Sequence, residues 1–172
     1  MSQSSSAMPA GPVVSNTTPL LSLGEIGLLD IIYTLYGELW IPQAVFSEYQ
    51  AEIPSHAIRP SLNGMPWIVV HTALPYAAEP ATLDAGEAEA ISLARSSGAR
   101  LILIGEQRGG AAAKRLGLVV AGSIAVLLEA KAQAIVPRIR PYLDQMVAQG
   151  RRIGPRLYGQ ALSLAGEEDV SV

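Results

Sequence analysis

Short, wholly apolar runs alternate along the chain with longer stretches in which apolar positions recur every three or four residues. The first pattern predicts buried strands and the second amphipathic helices. Strands are expected over 12–16, 39–41, 67–72, 101–104 and 119–121. Every position of Leu101-Ile102-Leu103-Ile104 is apolar, as suits a central strand covered on both faces. Helices are expected over 20–26, 28–36, 43–50, 84–96, 111–116 and 123–133, with two more over 139–149 and 156–165. Strand and helix in alternation predict an α/β fold with a mainly parallel central sheet. In such folds, sites form at the carboxyl ends of the strands.

Breakers punctuate this pattern. Pro19 suits a first helical turn, where its missing N–H costs nothing, and Thr17 or Thr18 can cap. Pro42 opens a helix, whereas Gly27 and Gly98 close two others. The 54–64 connection is rich in breakers and 75–80 reads as loop. Gly105-Glu106-Gln107-Arg108-Gly109-Gly110 reads as a turn into the helix at 111. The expected organisation is a flexible tail at 1–12, one domain over 13–166 and a frayed acidic tail at 167–172.

Composition narrows the picture mainly by exclusion. The 172 residues are 49% hydrophobic and 16% charged, enough apolar material for one well-filled core. No cysteine is present, so disulfides and thiolate chemistry are excluded and a cytoplasmic location is the default. The 1–12 stretch lacks the basic and apolar regions of a signal peptide. No apolar run approaches the ~20 residues of a membrane span.

The net charge of −3 conceals an asymmetry. All 12 Lys and Arg residues lie at or after Arg59, and the first 58 residues carry five acids. From Arg95 to Arg156, 11 basic residues face only Glu106, Glu129 and Asp144. Acids gathered at one site beside a basic surface would suit a nucleic-acid substrate. Ordinary solvated helix faces would give the same counts.

The carboxyl-end rule then selects candidates. Asn16 ends the first strand, Gly105 and Glu106 follow 101–104, Glu87 opens the 84–96 helix, and Glu48 lies on the 43–50 helix. If these converge, three carboxylates and an amide share one cleft. Hard oxygen donors of that kind suit Mg²⁺ or Mn²⁺ rather than zinc. Such a cation activates water and steadies charge on a phosphate. The two histidines, His56 and His71, have no nucleophile set beside them.

The 83–91 stretch, with Asp84, Glu87 and Glu89, carries two readings. Asp84-x-x-Glu87 matches a capping box. Glu87 also shares a stripe with Ile91 and Ala94 that should face the core, where an acid needs a partner or a metal. Glu89 lies off that stripe and is expected in solvent. Glu48 reads equally as a surface acid and Glu106 as a turn residue. The glycine-rich 105–110 loop lacks the GxxxxGK[ST] pattern of a nucleotide cradle.

Four ordered motifs resemble PIN domains, and among them a prokaryotic branch akin to VapC-type toxins. They are Val14-Ser15-Asn16-Thr17-Thr18-Pro19-Leu20; Ile41-Pro42-Gln43-Ala44-Val45 with Glu48; Leu83-Asp84-Ala85-Gly86-Glu87-Ala88-Glu89-Ala90-Ile91; and Leu101-Ile102-Leu103-Ile104-Gly105-Glu106 with Arg108-Gly109. The likeness spans about 13–166. It implies a three-layer α/β/α fold and Mg²⁺- or Mn²⁺-dependent hydrolysis of RNA, with a cognate antitoxin that blocks the site and a homodimer. The family's acids fall on Asn16, Glu48, Glu87, and Gly105 or Glu106, and Arg108, Lys114 and Arg115 would steer phosphates. Asn16 and Gly105 stand where aspartates are usual, which removes charge from the implied site.

Overall fold

The computed structural model describes residues 10–52, 59–72, 83–105 and 108–169, with Arg108 described by its backbone alone. Its strands are β1 (Val13–Ser15), β2 (Leu39–Pro42), β3 (Ile68–His71), β4 (Leu101–Leu103) and β5 (Val120–Ala121). They form one sheet in the order β3-β2-β1-β4-β5, and every pairing is parallel. Around it stand α1 (Thr17–Gly24), α2 (Asp30–Tyr36), α3 (Gln43–Ala51), α4 (Ala85–Ser96), α5 (Arg108–Arg115), α6 (Ser123–Ala132), α7 (Arg140–Ala148) and α8 (Pro155–Ala165).

The period of two along each strand divides the apolar residues between two cores. Val13, Leu39, Ile41 and Leu103 face one side, where they join buried residues of α1, α2, α6, α7 and α8. Val14, Ile102 and Ile104 face the other and meet Ala90, Ile91 and Ala94 of α4 and Ala112 and Ala113 of α5. The result is the expected three-layer α/β/α fold with a parallel central sheet. β1 lies at its centre and is wholly buried, which is why its run is apolar on both faces.

Two expectations change. The helix expected from 111 already begins at Arg108, so Gly109 and Gly110 are helical rather than part of a turn. A Cβ at Gly110 would stand 2.6 Å from the Gly105 carbonyl oxygen, to which the Gly110 N–H donates at 3.0 Å. Only glycine lets the helix start that close to the end of β4. Glu167, assigned by sequence to the frayed tail, is only 8% exposed. It accepts from Ile139 N–H at 2.8 Å and Arg140 N–H at 3.2 Å, capping α7, and pairs with Lys131 at 3.0 Å. Burial alone would raise its pKa. The Ile139 N–H, the Lys131 ammonium and the Arg140 N–H outweigh that and hold the carboxyl below its ordinary value.

Part of the basic half of the chain is spent on the fold. Arg100 donates to the Tyr36 carbonyl, Arg140 to the Glu167 carbonyl, and Arg151 grips Glu25 through two bonds of 3.1 and 2.8 Å. Lys131 also donates to the Ala165 carbonyl.

Candidate active site

The strand order reverses at β1, because the chain builds outward to β3 and then returns to place β4 on the opposite side. Crossovers that diverge from such a switch point leave a crevice at the carboxyl ends of the two strands. β1 delivers Asn16 there, and the Asn16 N–H donates to the Leu103 carbonyl at 2.9 Å, which fixes it against β4. Asn16 is the N-cap of α1, yet its side chain caps nothing. The residue is 3% exposed, and its Oδ1 is buried without a hydrogen-bond partner among the described residues. An orphaned amide oxygen costs about 1–3 kcal/mol. A site that keeps one has a use for it.

Glu48 arrives on α3. Val45 and Tyr49 form the buried stripe of that helix. The Tyr49 hydroxyl donates to the Pro60 carbonyl at 2.7 Å, and the Arg59 guanidinium lies 4.6 Å over its ring. Burial pushes the Tyr49 phenol up to about 12, with Arg59 pulling the other way. With α3 seated in this way, the Glu48 carboxylate accepts from Thr17 Oγ1 at 2.5 Å and from Gly86 N–H at 2.9 Å. It therefore bridges the first turns of α1 and α4. A carboxylate at two helix N-termini is favoured by both dipoles.

Glu87 occupies the third position of α4, and the expected capping box is present. Glu87 N–H donates to Asp84 Oδ1 at 2.7 Å and Asp84 N–H to Glu87 Oε2 at 3.3 Å. The same carboxylate also lies against α5, because a Cβ at Gly109 would stand 2.8 Å from Glu87 Oε1. Glu87 thus joins the N-terminal turns of α4 and α5. Glu89, expected in solvent, instead accepts from Ala44 N–H at 3.1 Å and caps α3. The stripe argument missed it because a neighbouring helix end, not the core, supplies its partner.

Asn16, Glu48 and Glu87 are brought to the same end of the sheet through the Asn16-Thr17 and Gly86-Glu87 steps of the chain. An open cleft of about 720 Å³ lies there, lined by Thr17, Thr18, Leu21, Glu48, Glu52 and Asp84. Glu106 and His56 lie outside the described residues, as does the Arg108 side chain. Lys114 and Arg115 are exposed in the last turn of α5. At ~1.5 Å per residue they are roughly 8 Å along the helix from Gly109. His71 stacks on Trp40 at 4.0 Å on the β2–β3 side of the sheet.

Among the described residues no group of three or more His, Asp or Glu gathers into a metal cluster. The cleft wall carries the Glu48 carboxylate, while Asn16, with its buried and unpartnered amide oxygen, and the capping-box Glu87 stand at the same end of the sheet. Those donors are hard oxygens, which fits Mg²⁺ or Mn²⁺ with less negative charge than a full set of acids would give. The sequence named Thr17 only as a possible helix cap and Glu89 only as a solvated acid, and gave Gly86 no role. The signal for Thr17 was its place directly after Asn16, at the first position of a helix that opens at the carboxyl end of β1.

Among the described residues no helix is long and apolar enough to cross a membrane. No curated protein and no solved structure matches the chain significantly. A family model described as a PIN domain matches residues 12–167, nearly the whole described fold including α7, α8 and Glu167. The chain belongs to the PIN domain family, whose fold is of nuclease type.

Proposed function

We propose that this protein is a Mg²⁺- or Mn²⁺-dependent ribonuclease, the toxin component of a toxin–antitoxin pair, which hydrolyses RNA phosphodiester bonds. The observation that carries the reading is the Asn16 Oδ1 atom, buried and unpartnered at the switch point, at the same end of the sheet as the oriented Glu48 and Glu87 carboxylates. Asn16, Glu48 and Glu87 would hold the cation, and Glu106 is the third carboxylate assigned to it. The chemistry a bound cation supplies is Lewis acidity towards water and phosphate. Each oxygen of Glu48 spends one lone pair on Thr17 or Gly86 and keeps another for the cleft. Arg108, Lys114 and Arg115 would attract the RNA backbone towards α5. An antitoxin that blocks the cleft, a homodimer and a cytoplasmic location belong to the same reading.

The test is RNA cleavage and Mn²⁺ titration with Glu87→Gln. The amide retains an acceptor for the Asp84 N–H, so the fold should survive while cleavage and metal affinity fall. Undiminished cleavage would remove Glu87 from the site.

A second reading, a PIN-like module that binds RNA or protein without cleaving, is favoured by the uncharged Asn16 and Gly105 and by the lack of a three-acid cluster among the described residues. Asn16→Asp separates the two. Cleavage gained by that variant shows a site short only of charge, whereas no calorimetric Mn²⁺ binding even then favours the module.

A further inference from the structure

Gly86 sits in the first turn of α4, where alanine would be the better helix former. No turn or positive φ asks for glycine at this position. The space around it does. A Cβ built on Gly86 would stand 2.3 Å from Glu48 Oε2, 2.8 Å from Glu48 Cδ and 2.9 Å from Glu48 Oε1. Real Cβ atoms do not approach that closely, so any side chain at 86 must displace the Glu48 carboxylate. The carboxylate has little freedom to yield, since Thr17 Oγ1 holds one oxygen and the Gly86 N–H holds the other. Its Cα is equally fixed, because α3 is anchored by Tyr49 on Pro60 and by Glu89 on Ala44.

We infer that Gly86 is a positioning residue whose missing side chain forms the seat of the Glu48 carboxylate and so sets where that ligand meets a divalent cation. The inference rests on the reading of Asn16, Glu48 and Glu87 as a cation cradle. It adds a size rule to that cradle: the length of the acid at 48 and the bulk at 86 are coupled. Shortening Glu48 by one methylene withdraws its carboxylate from Gly86 and makes room for a methyl group.

The experiment is a double-mutant cycle on the full chain with Gly86→Ala and Glu48→Asp, read by calorimetric Mn²⁺ titration and by thermal melting in EDTA. Gly86→Ala should lower Mn²⁺ affinity at least tenfold beside Glu48 but less than threefold beside aspartate. In EDTA it should lower Tm when Glu48 is present and raise it in a Glu48→Ala background, where only helix preference remains. Unchanged Mn²⁺ affinity in Gly86→Ala, or an equal loss in both backgrounds, overturns the inference. If the parent chain takes up no Mn²⁺, the cradle reading fails and the melts alone decide. A Gly86→Ala penalty that persists without Glu48 then overturns the seat, and one that vanishes sustains it.

Discussion

Thr17 Oγ1 donates to Glu48 Oε2 at 2.5 Å, and this bond fastens the start of α1 to α3 across the mouth of the cleft. Thr17→Val keeps the shape and removes the donor. It should cost about 1.5 kcal/mol in urea denaturation, as expected for a hydrogen bond to a charged acceptor. Thr17→Ser should stay close to the parent. A neutral Thr17→Val beside a loss in Thr17→Ser would show that the Thr17 methyl, not its hydroxyl, is what matters.

The capping box makes a separate prediction, because stability and cation binding part company at Asp84. Asp84→Ala should lower stability by about 1 kcal/mol through loss of the cap, whereas Asp84→Asn should be nearly neutral. Mn²⁺ affinity of the asparagine variant should stay within a few-fold of the parent. A tenfold loss would make Asp84 a cation ligand rather than a cap.

Asn16→Asp places a carboxylate where 3% exposure leaves almost no water. Without metal the variant should melt at a lower temperature, since a buried charge lacks compensation. With saturating Mn²⁺ its Tm should rise by more than that of the parent, by ligand linkage. Melting curves in EDTA and in Mn²⁺ test both statements, and a metal-insensitive variant would contradict them.

Glu167 predicts acid sensitivity. Its folded pKa lies below the ordinary 4.5, so its contribution is fully present above that value. The contribution is lost as pH falls through the lower, folded value. Glu167→Gln should flatten the decline of stability below pH ~4.5 and, near neutrality, cost about 1 kcal/mol as a weakened cap on α7. A pH series of urea midpoints for parent and variant decides the matter.

Phosphate steering is read by salt. If Lys114 and Arg115 each contact an RNA phosphate, their alanine variants should each reduce the slope of log affinity against log salt by about 1. Arg108, at the end of α5 that adjoins Glu87, should affect binding more than either. Equal slopes in all the variants would move the RNA path away from α5.

The sheet was legible because its central strands β2, β1 and β4 are largely buried and therefore read as nearly uninterrupted apolar runs. The same property hid helix starts. Gly109 and Gly110 look like a turn in sequence, and only the nearby Glu87 carboxylate and Gly105 carbonyl explain why a helix needs two glycines there. For the candidate site, the carboxyl-end rule selected Asn16, Glu48 and Glu87, since each stands at the end of a strand or on a helix that closes over one. It could not find the partners that orient them. Thr17, Gly86 and Glu89 act across 31, 38 and 45 residues of sequence separation, and no local pattern records such contacts. Glu167 was misread for the same reason, because an acid in a polar tail looks solvated until the α7 N-terminus it caps is in place.

The central position of β1 has a consequence for the order of events during synthesis. Val13 leaves the ribosome well before one of its two neighbours in the sheet, Leu101, which is made only after α1 to α4, β2 and β3 have followed. Until then one edge of β1 has no strand to pair with, and long-range parallel pairing is slow to form. Asn16 likewise waits for the Leu103 carbonyl that fixes it. A nascent or prematurely ended chain that stops before β4 carries Asn16, Glu48 and Glu87 but no crevice to hold them together. Whatever chemistry the cleft performs is therefore withheld from unfinished copies of the protein.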